Sequence, residues 1–258
     1  MKKLFLIGFV AACLVSMTSC IDNGDDVREI SSFGVIAEYS EVGGALVYYD
    51  PLGQNPPLFI PGISDNKDLW SGGRIFFNCV VDMESPANAN WSEKGYQTAS
   101  SGSYEIVSES EAINNGIYPD KDSAVENERV ISSMYVASYV RGYLFLTMSI
   151  PDLHTNQKND FYLSWDPELE PEVSGNDRIY SLYLRVVKRT EGVTPLVSVH
   201  PQAFDINYFY TTISRKEKEE GRNVVAFKIY YPKELSEDLA TVKQWSDSGL
   251  VKTGIKED

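Results

Sequence analysis

From Gly34 onward apolar and polar residues alternate at period two, and clusters of turn formers interrupt the alternation roughly every 8 to 15 residues, the pattern of short antiparallel strands. Helical periods are scarce. The clearest strand runs from Arg74 to Glu84, where Ile75, Phe77, Cys79, Val81 and Met83 share one face and Arg74, Asn78, Asp82 and Glu84 the other. Cys79 is therefore expected to point inward. Val35 to Ser40, Ala45 to Tyr49, Leu58 to Ile60 and Ser103 to Val107 are further strands, separated by Gly43-Gly44, by Pro51 to Pro57 and by Gly72-Gly73. Five short strands fit a small barrel of the OB type.

The stretch from Ser108 to Asn127 is polar and acidic with almost no aliphatic pattern, and reads as a linker between two domains. Beyond it, Met134 to Arg141 and Tyr143 to Ile150 flank Gly142 as a tight hairpin. Phe161 to Trp165, Ile179 to Val187, Ala203 to Thr211 and Val224 to Tyr231 follow at spacings typical of a β-sandwich. Ser214 to Gly221 is charged throughout and predicts a solvated hairpin loop. Ser236 is placed to cap a short helix carrying Leu239, Val242 and Trp245 at spacings of three, with Glu237 and Asp238 in its first turn.

The first residues follow a different rule. Met1-Lys2-Lys3 is basic, Leu4 to Val15 is apolar, and Met17-Thr18-Ser19 leads into Cys20, the three-part layout of a secretory signal. The apolar run falls short of the ~20 residues that cross a bilayer. A cysteine directly after Thr-Ser resembles the bacterial lipobox, with Met17 where leucine is usual. The sequence thus predicts a signal peptide over 1–19, acylation of Cys20 with palmitate-type chains, and a flexible acidic tether over 20–32. An OB-like barrel is expected over 33–125 and a β-sandwich over 126–258, an all-β protein held to the outer membrane by lipid, on its periplasmic or its outer face.

Charge narrows the partners. Loss of residues 1–19 removes two lysines and no acid, taking the formal charge from −14 to −16. So acidic a chain is not expected to bind nucleic acid, whose phosphates require clustered Lys and Arg. Of three cysteines, Cys13 leaves with the signal and Cys20 is consumed by lipid; Cys79 remains alone, and no internal disulfide is expected.

Arg74-Ile75-Phe76-Phe77-Asn78 in the first half, Tyr143-Leu144-Phe145-Leu146 and Tyr183-Leu184-Arg185-Val186 in the second, behind an acylated start, together resemble the NigD-like lipoproteins. The resemblance spans nearly the whole mature chain. It implies an OB-like domain before a β-sandwich and a role in bacteriocin immunity, and it supplies no catalytic residues.

Residues that carry chemistry are sparse. His154 and His200 stand beside turn-forming sequence, outside any zinc-ligand spacing, and are expected on surface loops. No Gly-x-Ser-x-Gly elbow or phosphate-cradling glycine loop is present. Asp166, Glu168, Glu170, Glu172 and Asp177 crowd one predicted loop, where oxygen ligands suit calcium, but the spacing is not that of an EF-hand and a polar turn explains them. No cofactor, metal or catalytic residue is assigned. Trp165 shares a face with Phe161 and Leu163 and belongs in a core, whereas Trp70 and Trp91 lie in predicted loops and are the contact candidates for a glycan or protein ligand. Ser123, within Asp122-Ser123-Ala124, matches a short O-glycosylation pattern of exported Gram-negative proteins. Two functions remain open: a non-enzymatic binding or accessory module of the envelope, or a hydrolase or glycan-binding protein acting on cell-surface polysaccharide.

Overall fold

Backbone hydrogen bonding, more than side-chain pattern, organises this protein. A computed structural model describes residues 26–41, 43–50, 54–63, 69–196 and 199–255. The expected signal peptide, Cys20 and the first part of the tether lie outside the described residues. The fold is all-β, with two curled sheets forming half-barrels. It divides into two units between Ile106 and Val107. Among the described residues, no helix is long and apolar enough to cross a membrane.

In the first unit, β1 (Val27–Tyr39), β2 (Gly44–Tyr48), β3 (Leu58–Pro61), β4 (Arg74–Asp82), β5 (Gln97–Thr98) and β6 (Ser101–Ile106) form one sheet, ordered β5-β3-β2-β1-β4-β6. Ile75, Phe77, Cys79 and Val81 of β4 are all buried, as their alternation predicts, and meet Val47, Leu58 and Ile60 in the core. The sheet curls because small residues permit close approach: a Cβ on Gly34 would lie 2.5 Å from Val47 Cγ1, and one on Gly102 of β6 would lie 2.9 Å from Ile60 Cγ2 of β3. The expected tether is shorter than 20–32. Val27 to Ser32 belong to β1 and pair with Asp82 to Phe77 of β4, so the backbone ladder begins before the apolar pattern does.

The second unit contains β7 (Ser108–Ile113), β8 (Glu128–Arg129), β9 (Ser133–Val140), β10 (Tyr143–Ser149), β12 (Asn159–Ser164), β13 (Glu172–Ser174), β14 (Asp177–Lys188), β16 (Val199–Asp205), β17 (Val224–Leu235), β18 (Val242–Asp247) and β19 (Val251–Gly254). Their principal path is β18-β17-β14-β12-β7-β16-β10-β9. A separate pair joins β11 (Leu153–His154) to β15 (Pro195–Leu196). The predicted hairpin at Gly142 is present: Arg141 and Gly142 both take positive φ, 51° and 90°, as a tight turn between twisted strands requires. Leu144, Leu146, Leu163, Trp165, Leu182, Leu184, Phe204, Phe227 and Ile229 form its core.

Three local expectations fail. Ser108 to Ile113, expected to open a linker, is instead β7, which bridges two parts of the sheet. It pairs in parallel with Gln202 to Asp205 of β16 through Ser108 to Glu111 and with Leu163-Ser164 of β12 through Ala112-Ile113. The strand expected through Thr211 ends at Asp205, and Asn207–Glu219 is an α-helix, α2, that absorbs most of the expected charged loop. Phe209, Ile213 and Glu217 recur at helical spacing on its buried side. Ser236 caps no helix: its Oγ accepts the N–H groups of Ala240 and Thr241 at 3.2 and 3.0 Å, closing a turn into β18, where Val242 and Trp245 are strand residues.

Candidate functional site

Trp70 sits on the turn that feeds β4. That turn is fastened to β1 at several points: the N–H of Gly72 bonds to Ile36 O at 2.7 Å, the N–H of Ile36 to Gly73 O at 2.9 Å, and Ser71 Oγ to Ala37 O at 2.6 Å. Gly72 has φ +89°, and a Cβ on Gly73 would lie 2.7 Å from Trp70 O, so the two glycines are what let the chain reverse so tightly. Leu69, one residue before, is fully buried. Below the indole lies the guanidinium of Arg74, 5.4 Å from the ring centroid and itself bonded to Gly72 O at 2.6 Å. Half of Trp70 nevertheless faces solvent, 50% by area. The result is a large aromatic ring, backed by a cation and carried on a hydrogen-bonded turn, with half its area left to solvent.

Trp91 is differently placed. It opens the short helix α1 (Trp91–Lys94) and is partly buried. Nearby Asn88 is buried; its amide donates to Asp82 O and Thr98 O at 2.7 and 2.9 Å and its Oδ1 accepts from Thr98 N at 2.7 Å, stitching the end of β4 to β5. Trp70 thus precedes β4 and Trp91 follows its far end. A nine-residue strand rises about 27 Å between its first and last residues, so the two tryptophans do not form one subsite.

The other sequence candidates scatter. Ser123 is exposed, but it lies inside the second unit, with Ala124 N bonded to Ala240 O at 2.8 Å. Its carbonyl accepts from a residue sequence reasoning passed over: Arg185, on β14, fully buried. Arg185 grips Glu128 with NH1, at 2.7 and 2.8 Å to the two carboxylate oxygens, and the carbonyls of Asp120, Lys121 and Ser123 with NH2, at 3.1, 3.2 and 3.0 Å. Its guanidinium stands 4.8 Å above Trp245. The segment from Asp120 to Glu128 is thereby pinned to the sheet. The signal available in the sequence was the arginine itself, out of place among Leu184, Val186 and Val187.

His154 lies on the short strand β11, and His200 is a partly buried strand residue of β16, stacked on Phe161 at 4.8 Å and 5°. The surface-loop expectation fails for His200. Burial pulls its pKa below the ordinary histidine value, opposed by its contact with Gln202. Trp165 is buried as expected, 5.0 Å edge-on to Phe209, with its Nε1 donating to Asn114 Oδ1 at 2.7 Å. Burial pushes the Cys79 thiol up to about 11, far from a reactive thiolate. In the acidic loop, Asp166 accepts the N–H of Glu168 at 2.9 Å, Asp177 pairs with Lys252 at 2.6 Å and Glu172 lies 3.7 Å from Lys228. Those are the bonds of a closed turn and of strand salt bridges. Among the described residues, no three His, Cys, Asp or Glu side chains gather as metal ligands.

No protein-family model matches the chain. No curated protein matches it either. Among solved structures, it is similar to an uncharacterized protein from Parabacteroides merdae, with 26% identity and a TM-score of 0.74 over 88% of this chain and 100% of that one. It is also similar to a Bacteroides vulgatus protein of unknown function, DUF1344, at 13% identity and TM-score 0.50, covering 89% and 92% of the two chains. A third likeness is to a protein from Bacteroides fragilis provisionally named a lipoprotein, at 14% identity and TM-score 0.51, covering 89% and 99%.

Proposed function

We propose that this protein is a non-enzymatic envelope lipoprotein, anchored through acylated Cys20 and binding a protein or glycan ligand at the turn that carries Trp70. The observation that carries the binding reading is the exposed indole on a turn fixed by hydrogen bonds to β1. A rigid aromatic loses little conformational freedom on binding and supplies a large apolar face, which is why tryptophan dominates interaction hot spots. The anchor rests on the lipobox-like Thr18-Ser19-Cys20 and is supported by the provisional lipoprotein among the structural neighbours. An outer-membrane location and a NigD-like role as an immunity or accessory factor extend the same reading.

The test uses the mature chain made lipid-free by Cys20→Ala, offered a glycan panel and solubilised cell envelopes. Trp70→Ala is expected to weaken ligand capture about tenfold, the effect of roughly 1.4 kcal/mol at a hot spot. Turnover of a glycan, ester or peptide that disappears when one Asp, Glu or His is replaced would overturn the proposal.

A further inference from the structure

Far from Trp70 in sequence, the end of α2 draws two arginines onto one exposed carboxylate. Arg178 of β14 donates from NH1 to Oε1 of Glu220, and Arg222, just past α2, donates from NH2 to Oε2 of the same residue. Each carboxylate oxygen thus meets its own guanidinium through a single charge-assisted N–H bond. Underneath lies a second acid. Glu217, its side chain 2% exposed, accepts the Tyr180 hydroxyl at 2.7 Å and the Nε of Arg222, and stands 3.9 Å from Arg178 Nε. A cleft of about 220 Å³ opens beside the group, its polar lining made by Asn176, Arg178, Glu217, Arg222, Asn223 and Asp177, the last paired with Lys252 at 2.6 Å.

The two glutamates are not equivalent. Glu217 is locked in place, because withdrawing it would strand two guanidiniums and a buried hydroxyl. Glu220 is 50% exposed, and an ion pair so open to water contributes little net stability, so its side chain can leave at small cost. Arg178 and Arg222 remain 22% and 30% exposed and stay oriented by Glu217 after it leaves. The two guanidiniums, Arg222 foremost, hold the Glu220 carboxyl below its ordinary range, so it fills the clamp as an anion at neutral pH.

We propose that this two-arginine clamp is a binding site for the carboxylate of an acidic sugar, with Glu220 occupying the ligand's place when the site is empty. The cleft is smaller than the ~300–1,000 Å³ of sites that enclose drug-sized ligands, which suits a single ring. Asn176 and Asn223, which line it, are residues with the donors and acceptors that sugar hydroxyls use. The chain as a whole carries a formal charge of −14, so an anion is repelled at long range and held only where guanidiniums converge.

Calorimetric titration of the lipid-free Cys20→Ala protein with galacturonate, galactose and inorganic phosphate tests the site, with Glu220→Gln as the decisive variant because it removes the negative charge that fills the clamp while keeping the size of an exposed side chain. Galacturonate should bind at least tenfold better than galactose, and Glu220→Gln should bind galacturonate about tenfold tighter than the parent. Arg178→Gln, checked for an unchanged melting temperature, should lose that gain. Equal binding of galactose, equal binding of phosphate, or no tightening in Glu220→Gln would each overturn the proposal.

Discussion

Among the described residues, Arg185 is the largest side chain wholly removed from water, and its surroundings explain how so costly a group is tolerated. One carboxylate neutralises it, three carbonyls accept from its terminal nitrogens and Trp245 covers it, while its Nε–H has no hydrogen-bond partner among the described residues. A buried ion pair adds little to stability when weighed against an apolar replacement of the same shape, but losing one partner leaves a charge that nothing solvates. Glu128→Gln is therefore expected to lower the free energy of unfolding by about 3 kcal/mol, read from the midpoint of urea denaturation. A loss below about 1 kcal/mol would mean that water reaches the guanidinium in solution. The consequence reaches beyond the pair, because the same guanidinium holds the Asp120–Ser123 carbonyls and with them the position of the Ser123 side chain.

Among the elements, β7 and α2 depart most from the sequence pattern, for opposite reasons. The side chains of β7, Ser-Glu-Ser-Glu-Ala-Ile, are exposed or only partly buried, so no apolar stripe marks it. What makes it a strand is that its backbone bonds to β16 along one part and to β12 along another, and a ladder of N–H and C=O groups is indifferent to side-chain polarity. Amide hydrogen exchange should find the paired amides of 108–113 protected to nearly the level of β14, and those of the exposed turn around Lys121-Asp122 exchanging far faster. Exchange at 108–113 as fast as in that turn would return the segment to a linker. In α2 the helical period was present all along in Phe209, Ile213 and Glu217. A glutamate on the buried stripe concealed it, since a charge at a core position argues against burial unless its partners are known. Those partners are Tyr180, from β14, and Arg222, beyond the helix.

At the scale of the whole molecule, there are two units with separate cores, and the lipobox-like pattern at Thr18-Ser19-Cys20 carries the proposal of a lipid anchor. Replacing Cys20 with Ala should leave the chain unacylated by mass and move it from the membrane to the soluble fraction, because each buried methylene of a lipid anchor contributes about 0.8 kcal/mol to membrane affinity. Persistent lipid on the variant would refute the lipobox reading. The apolar strands were legible because alternation is local: β4 and β10 each carry in a few consecutive residues the face they bury. Acidity was equally plain in composition. Trp70 could be picked out as a loop aromatic, while the turn that fixes it and the cation behind it could not. Tertiary structure alone decided that Val27 to Ser32 join the sheet, that β7 exists, that His200 stacks inside a strand and that Arg185 and Glu217 are buried. Each depends on a group distant in sequence, Glu128 lying 57 residues from Arg185 and Tyr180 lying 37 from Glu217. Apolar burial is written into a residue's own chemistry, whereas burial of a charge or pairing of a polar strand is favourable only once the fold supplies the partner.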